Sequence, residues 1–156
     1  MLLIARNKRA RFDYEILEKV EAGLALLGTE VKSLRDRQVS FADSYARIDN
    51  GEAYLYNLHI KPYAQATETF NHDPLRKRKL LLHAREIRRL TGKLAERGLT
   101  LVPLTVYFTD RGLAKVELGL GRGQKQYDKR EAIKRRTADR EMAREYARGR
   151  RGGRET

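Results

Sequence analysis

The stretch LTLVPLTVYFTDRGLAKVELGL, residues 99–120, constrains the fold of this chain more than any other part of it. Val102, Leu104, Val106 and Phe108 recur at every second position on its first arm. Ala114, Val116, Leu118 and Leu120 do the same on its second. A period of two belongs to strands with one face against a core, so the stretch reads as a hairpin. Lys115 and Glu117 alternate with the second set, which leaves one face of this sheet in water. Pro103 has no N–H to give a neighbouring strand and predicts an edge or a bulge.

Other segments follow the same grammar. In SYARIDNGEAYLYNLHI the Asn50-Gly51 pair separates two strand-like runs, a strong hairpin signal. A third pair is expected in YEILEKVEAGLALLG, bending at Ala22-Gly23. Two helices interrupt the strands. Thr29 is placed to cap TEVKSLRD, with Val31 and Leu34 facing one way. In AREIRRLTGKLAERG, Ile87, Leu90 and Leu94 form a stripe and Gly98 ends it. The expected fold is mainly β: an OB-like antiparallel closed barrel over residues 1–121 with two or three short helices filling its ends. Closure removes exposed edges, and such barrels commonly bind oligonucleotides, though that step is analogy.

At 156 residues, 40% hydrophobic and 35% charged, the chain has room for one modest core. It shows no apolar run near the ~18 residues of a membrane span, no signal-peptide pattern and no cysteine. A soluble cytoplasmic protein without disulfides or thiolate metal sites is expected. Lys and Arg number 34 against 21 acidic residues, a net charge of +13. Such a surface attracts polyanions by neutralising phosphates and releasing their counterions.

Residues 122–156 hold 13 basic and 6 acidic residues. Gly119, Gly121 and Gly123 are expected to loosen the exit from the last strand. Beyond them the sizeable apolar side chains are Tyr127, Ile133, Met142 and Tyr146. Four anchors do not offset an ordering cost of ~1–2 kcal/mol per residue for the backbone alone. Yet helix formers dominate, and Arg136, Arg140, Arg144 and Arg148 make a slowly winding basic stripe. The expectation is a C-terminal tail, residues 122–156, disordered when free and helical when RNA supplies the counter-charge.

Several stretches together resemble the SsrA-binding proteins (small protein B), the bacterial partners of tmRNA. They are NKRARFDY, EAGLALLGTEVKSLR, DSYARIDNGEAYLYNLHI, NHDP with RKRKLLLH, GLTLVPLTVYF and GRGQKQYDKR. They fall in family order and cover most of the chain up to Arg130; beyond it the match is one of basic, helix-prone character. The resemblance implies an adaptor for trans-translation. Its barrel would grip the tRNA-like part of tmRNA, and the complex would enter the vacant A site of a ribosome stalled without a stop codon. The tail would fold in the empty mRNA path, against small-subunit RNA at the decoding centre. The protein would be a monomer when free, without cofactor or enzymatic activity.

Candidate contacts follow. Asn7, Lys8 and Arg11 stand before the first long strand, where a frayed basic terminus is the plainer reading, and the resemblance turns them toward RNA. Glu21 repels phosphate, so it would accept from base or ribose donors or orient a neighbouring cation. Lys32 and Arg35 compete between RNA contact and ion pairing with Glu30. Arg76, Arg78 and Lys79 belong to the densest basic block before the tail. Leu81 could pack on an unstacked base and His83 could stack or donate, while Leu80 and Leu82 point to the core.

In the tail, Tyr127 offers an aromatic face and Asp128 suits a helix start. Lys129, Arg130, Arg136 and Arg140 would read phosphate, and Ile133 adds apolar contact. His59, His72 and His83 have no ligand-like spacing, so no metal site is expected, and no pair of acids with a base suggests catalysis. A constitutive ribosomal or ribosome-assembly protein is the competing reading.

Overall fold

Nine strands, three short α-helices and a 3-10 turn (Glu68–Phe70) follow one another through residues 1–96 and 98–123, which the computed structural model describes together with Arg140. The strands are β1 (Leu2–Arg6), β2 (Tyr14–Leu24), β3 (Val39–Ser40), β4 (Tyr45–Asp49), β5 (Glu52–Tyr56), β6 (His59–Ile60), β7 (Arg78–Leu81), β8 (Leu99–Phe108) and β9 (Ala114–Gly123). The helices are α1 (Ala10–Asp13), α2 (Gly28–Arg35) and α3 (Ala84–Leu94). The chain divides into a unit Met1–Gly123 and a unit Gln124–Thr156; of the latter Arg140 is described, exposed and helical. The expectations for Tyr127, Asp128, Lys129, Arg130, Ile133 and Arg136 lie outside the described residues.

The barrel is closed and antiparallel. Its order is β8-β4-β5-β7-β2-β9, and β9 returns to pair with β8. β1 hangs on the outer half of β8, while β3 and β6 form a small separate ribbon. The β4–β5 hairpin turns at Asn50 and Gly51, with φ of 52° and 76°. Both positions need the left-handed region, which is why Asn-Gly marks such a turn.

The core joins Val20, Ala22 and Leu24 of β2, Leu55 of β5, Leu80 of β7, Leu101, Val106 and Phe108 of β8, and Val116, Leu118 and Leu120 of β9. Leu34 of α2 and Leu90 of α3 enter the same cluster fully buried, so each helix stops part of the barrel with a leucine. Of the expected α3 stripe, Leu90 and Leu94 meet the core while Ile87 lines a surface groove, and Gly98 follows the helix with φ of 83°.

Four local expectations are corrected. β2 runs unbroken through Ala22-Gly23 and makes no hairpin. Gly23 pairs with Lys115 on one side and Leu81 on the other, so the glycine serves close approach rather than a turn. The bulge expected at Pro103 exists, between Pro103 and Thr105, and it reverses the facing of the strand. Val106 and Phe108 therefore point into the barrel with Leu101. Val102 and Leu104 point outward, beneath α1, with Ala10, Tyr14 and Ile16.

Gly119 and Gly121 do not loosen an exit but sit inside β9, paired on both sides. A Cβ on Gly119 would lie 2.9 Å from Leu104 Cδ1, and one on Gly121 3.0 Å from Tyr14 Cβ. The outer cluster needs that space. Finally, Thr29 does not cap α2. The cap is Leu27, whose N–H donates to Glu30 Oε1 at 2.7 Å, while the Thr29 hydroxyl meets His72 Nδ1 at 2.8 Å.

Candidate nucleic-acid interface

Strand alternation decides which side chains of β5, β7, β2 and β9 reach the outside. Along β7, Arg78 and Leu80 are buried while Lys79 and Leu81 are exposed. A groove of about 660 Å³ opens where this strand runs into α3; Lys79, Leu81, His83, Arg88 and Lys115 line it. Leu81 is 54% exposed, a large apolar side chain in a basic setting. Beneath it lies Gly23, where a Cβ would stand 3.1 Å from Leu81 Cβ. His83 precedes α3, its backbone N–H held by Glu86 Oε1 at 3.2 Å. Lys79 Nζ lies 3.3 Å from Glu52 Oε1, an exposed pair of small energetic weight.

Glu21 is two residues before Gly23 on β2 and faces the same way, with Glu117 opposite it on β9. The Tyr107 phenol of β8 donates to the Glu21 carboxylate. Burial first, then this bond and the charges of Glu21 and Glu117, push the phenol up to about 12. It thus remains a donor throughout the neutral range. One Glu21 oxygen is committed to Tyr107, and the carboxylate keeps further acceptor capacity for N–H or O–H donors.

Lys79, Leu81 and His83 are therefore gathered in one groove, with Glu21 two residues from the glycine under Leu81. The other candidates sit elsewhere. Asn7 donates to the Pro103 carbonyl at 2.8 Å and accepts from Ala10 N–H at 3.2 Å, so its amide fixes the start of α1. Lys8 lies beside it, exposed, in a second groove of about 580 Å³ with Arg6, Arg9, Tyr14 and Phe41; Arg11 is exposed on α1. Lys32 Nζ is 5.4 Å from the Tyr63 ring, and the Arg35 guanidinium is 4.8 Å from the Phe108 ring.

Arg78 is a correction. It is fully buried, donating to Glu30 Oε2, to the Leu58 carbonyl and to the Pro74 carbonyl, so it holds the fold together instead of facing a ligand. Arg76 shares that task through a 2.6 Å bond to Glu30 Oε1 and keeps a third of its side chain exposed. Glu30 is itself fully buried. Burial alone would raise its carboxyl, but the Arg76 bond, the Leu27 N–H and the Arg78 charge outweigh this and hold it below its ordinary 4.5. Neither Lys32 nor Arg35 is its partner.

Sequence reasoning did not put Tyr107 or Lys115 in the site. Outward alternation on the hairpin arms was the available signal, since Tyr107 and Lys115 are cross-strand partners. His72 is buried, its Nε2 2.8 Å from the Ile60 carbonyl, and no group of three or more potential metal ligands occurs among the described residues.

The SmpB protein family matches residues 4–148. The SsrA-binding protein of Pseudothermotoga lettingae is 60% identical over 142 residues, covering 91% of this chain and 95% of that one. That of Enterococcus faecalis is 56% identical over 149 residues, covering 96% of each. A chain of the solved structure described as "tmRNA-SmpB: a journey to the center of the bacterial ribosome" superposes with a TM-score of 0.68. It is 57% identical, and the match covers 83% of this chain and 93% of that one. A chain matched almost end to end at such identities belongs to the SmpB family of SsrA-binding proteins.

Proposed function

We propose that this chain is a tmRNA-binding adaptor for trans-translation, working in the cytoplasm. Its barrel grips the tRNA-like part of tmRNA, and the complex enters the A site of a ribosome stalled without a stop codon. The observation that carries this reading is 60% identity over 142 residues to an SsrA-binding protein.

The groove chemistry supports the assignment of contacts. Lys79, Arg88 and Lys115 are positioned to neutralise phosphates, and exposed Leu81 offers an apolar surface to an unstacked base. Glu21, steadied by Tyr107, accepts from base or ribose donors. Lys8 and Arg11 add cations at the start of α1. The basic residues 122–156 occupy the mRNA path in this reading, with Tyr127 stacking and Lys129, Arg130, Arg136 and Arg140 on phosphate. The adaptor makes and breaks no bond; binding is its whole task.

Crosslinking the chain to RNA in living cells and sequencing what is attached tests the reading. One small structured RNA, recovered together with stalled ribosomes, is the expected result. Stoichiometric recovery on all ribosomes, with ribosomal RNA as the main partner, would favour a constitutive ribosomal or assembly protein instead.

A further inference from the structure

The β4–β5 hairpin carries an aromatic surface outside the groove. Outward alternation and the register place Tyr45 opposite Tyr56, and Arg47 opposite Tyr54. Tyr54 in turn pairs with Lys79 of β7. The Tyr45 and Tyr56 rings are stacked, 5.3 Å between centroids and 13° from parallel. Lys77 Nζ stands 4.2 Å from the Tyr54 centroid and 5.9 Å from that of Tyr56.

The hydroxyls fix how these rings lie. Tyr56 donates to Asp49 Oδ2 at 2.8 Å. Asp49 pairs with Glu52, four positions from Tyr56 along β5, so the ring reaches it only by lying along the sheet. Tyr54 donates to Glu52, two positions back on its own strand, and lies the same way. Both phenols are raised, Tyr54 first by Glu52 and Tyr56 first by Asp49, so they remain donors and the tethers hold. Asp49 also takes Arg47 at 3.4 Å and Glu52 takes Lys79 at 3.3 Å, while Lys77 stands exposed over the rings.

A cross-strand aromatic pair explains part of this, since such pairs stabilise hairpins. It does not account for Tyr54, which is outside the stack and capped by a cation. A ring held along a sheet beneath an exposed lysine, whose ammonium can swing from the ring face to a phosphate, suits a nucleobase and its phosphate. The platform is also continuous with the groove, because Glu52 and Lys79 belong to both.

We propose that the outer face of β4 and β5 stacks an unpaired nucleobase of the same RNA whose neighbouring nucleotides occupy the Leu81 groove, with Tyr54 as the stacking ring and Lys77 on the adjoining phosphate. This rests on the functional reading above. It adds Tyr54, a contact that the sequence did not suggest.

The experiment uses the full chain, a transcript of the tRNA-like part of tmRNA, and a blunt RNA duplex of equal length. Tyr54→Leu is expected to weaken transcript binding by about five-fold or more, with Tyr54→Phe, which keeps the ring and loses its tether to Glu52, between the two. Ultraviolet crosslinking of the wild-type chain should give an adduct on the tryptic peptide of residues 48–76, since Pro62 blocks cleavage after Lys61, and fragmentation should place it on Tyr54. The duplex should give none. Lys77→Ala, at an exposed position, covers the case in which Tyr54→Leu fails to fold, and should also weaken binding and flatten its salt dependence.

A wild-type chain that does not bind the transcript overturns the functional reading and this proposal with it. Wild-type binding with full affinity in Tyr54→Leu or in Lys77→Ala, or with adducts confined to other peptides, overturns the platform alone. A lowered melting temperature in Tyr54→Leu at unchanged affinity would assign the ring to hairpin packing.

Discussion

Leu81 lies directly over Gly23: a Cβ built on the glycine would come within 3.1 Å of Leu81 Cβ and 3.3 Å of its Cδ1. The exposed leucine of the candidate interface is thus seated in a slot that the neighbouring strand leaves empty. Its pose is a property of two strands.

Substitution at Gly23 should separate binding from folding. Gly23→Ala stiffens β2 but shifts Leu81 by a few tenths of an ångström, so stability should change by less than about 1 kcal/mol. Affinity for the tRNA-like RNA should fall, as read by gel shift beside a urea melt. Gly23→Val, with two more carbons in the slot, should lose both. Unaltered affinity in Gly23→Ala would mean that the seating of Leu81 is irrelevant to RNA.

Tyr107→Phe removes the donor that steadies Glu21 and leaves the ring in place. A bond to a charged group is worth about 1.5–3 kcal/mol when intact, and less in this exposed pair. Binding should weaken several-fold, with the melting temperature almost unchanged. In the wild type, the phenol at about 12 predicts no tyrosine-linked loss of affinity between neutral pH and pH 9. Equal affinities for Tyr107→Phe and wild type would remove this positioning role.

The Glu30 cluster predicts a response to acid. Its folded carboxyl lies below the ordinary 4.5, so the unfolded chain takes up the proton first. The stabilisation is complete above 4.5 and is lost as pH falls through the depressed folded value. Glu30→Ala leaves Arg78 buried and unpaired and should cost about 3–5 kcal/mol at neutral pH. Urea midpoints measured from pH 6 downward should decline in the wild type. The variant should start lower and decline less.

Ending the chain after Gly123 keeps β9 whole, since Gly123 is its last residue and pairs with Tyr14. The truncated protein should retain its affinity for the tRNA-like RNA and support no peptide tagging in a purified translation system. Tagging by the truncated chain would show that residues beyond Gly123 have no part in rescue.

How much of this was legible depended on whether a residue type had one use or two. Asn50-Gly51 pointed to its turn because two consecutive positive φ values admit few alternatives. Gly23 misled, because glycine serves turns and close approach alike, and only the strand on the far side distinguishes them. Pro103 announced a bulge but not its effect on the side chains that follow, so Val102 and Leu104 were assigned to the wrong face. Charge was the least transparent. A cation in a basic run reads as surface, and nothing near Arg78 in the sequence shows that Glu30, 48 residues away, awaits it inside. The site suffered accordingly: Leu81 and His83 stood beside their groove partner Lys79 in the chain, while Tyr107 and Glu21 meet only through folding.

The continuous ring of strands has a bearing on the company this protein keeps. β8 is flanked by β9 on one side and by β1 and β4 on the other, so the β8–β9 hairpin is not left as an open edge. β1, the short outlying strand, has its Leu3 carbonyl occupied by Arg37. Flanked on both sides, that hairpin offers a foreign backbone no row of free amides and carbonyls, which guards its long apolar arms against edge-to-edge aggregation.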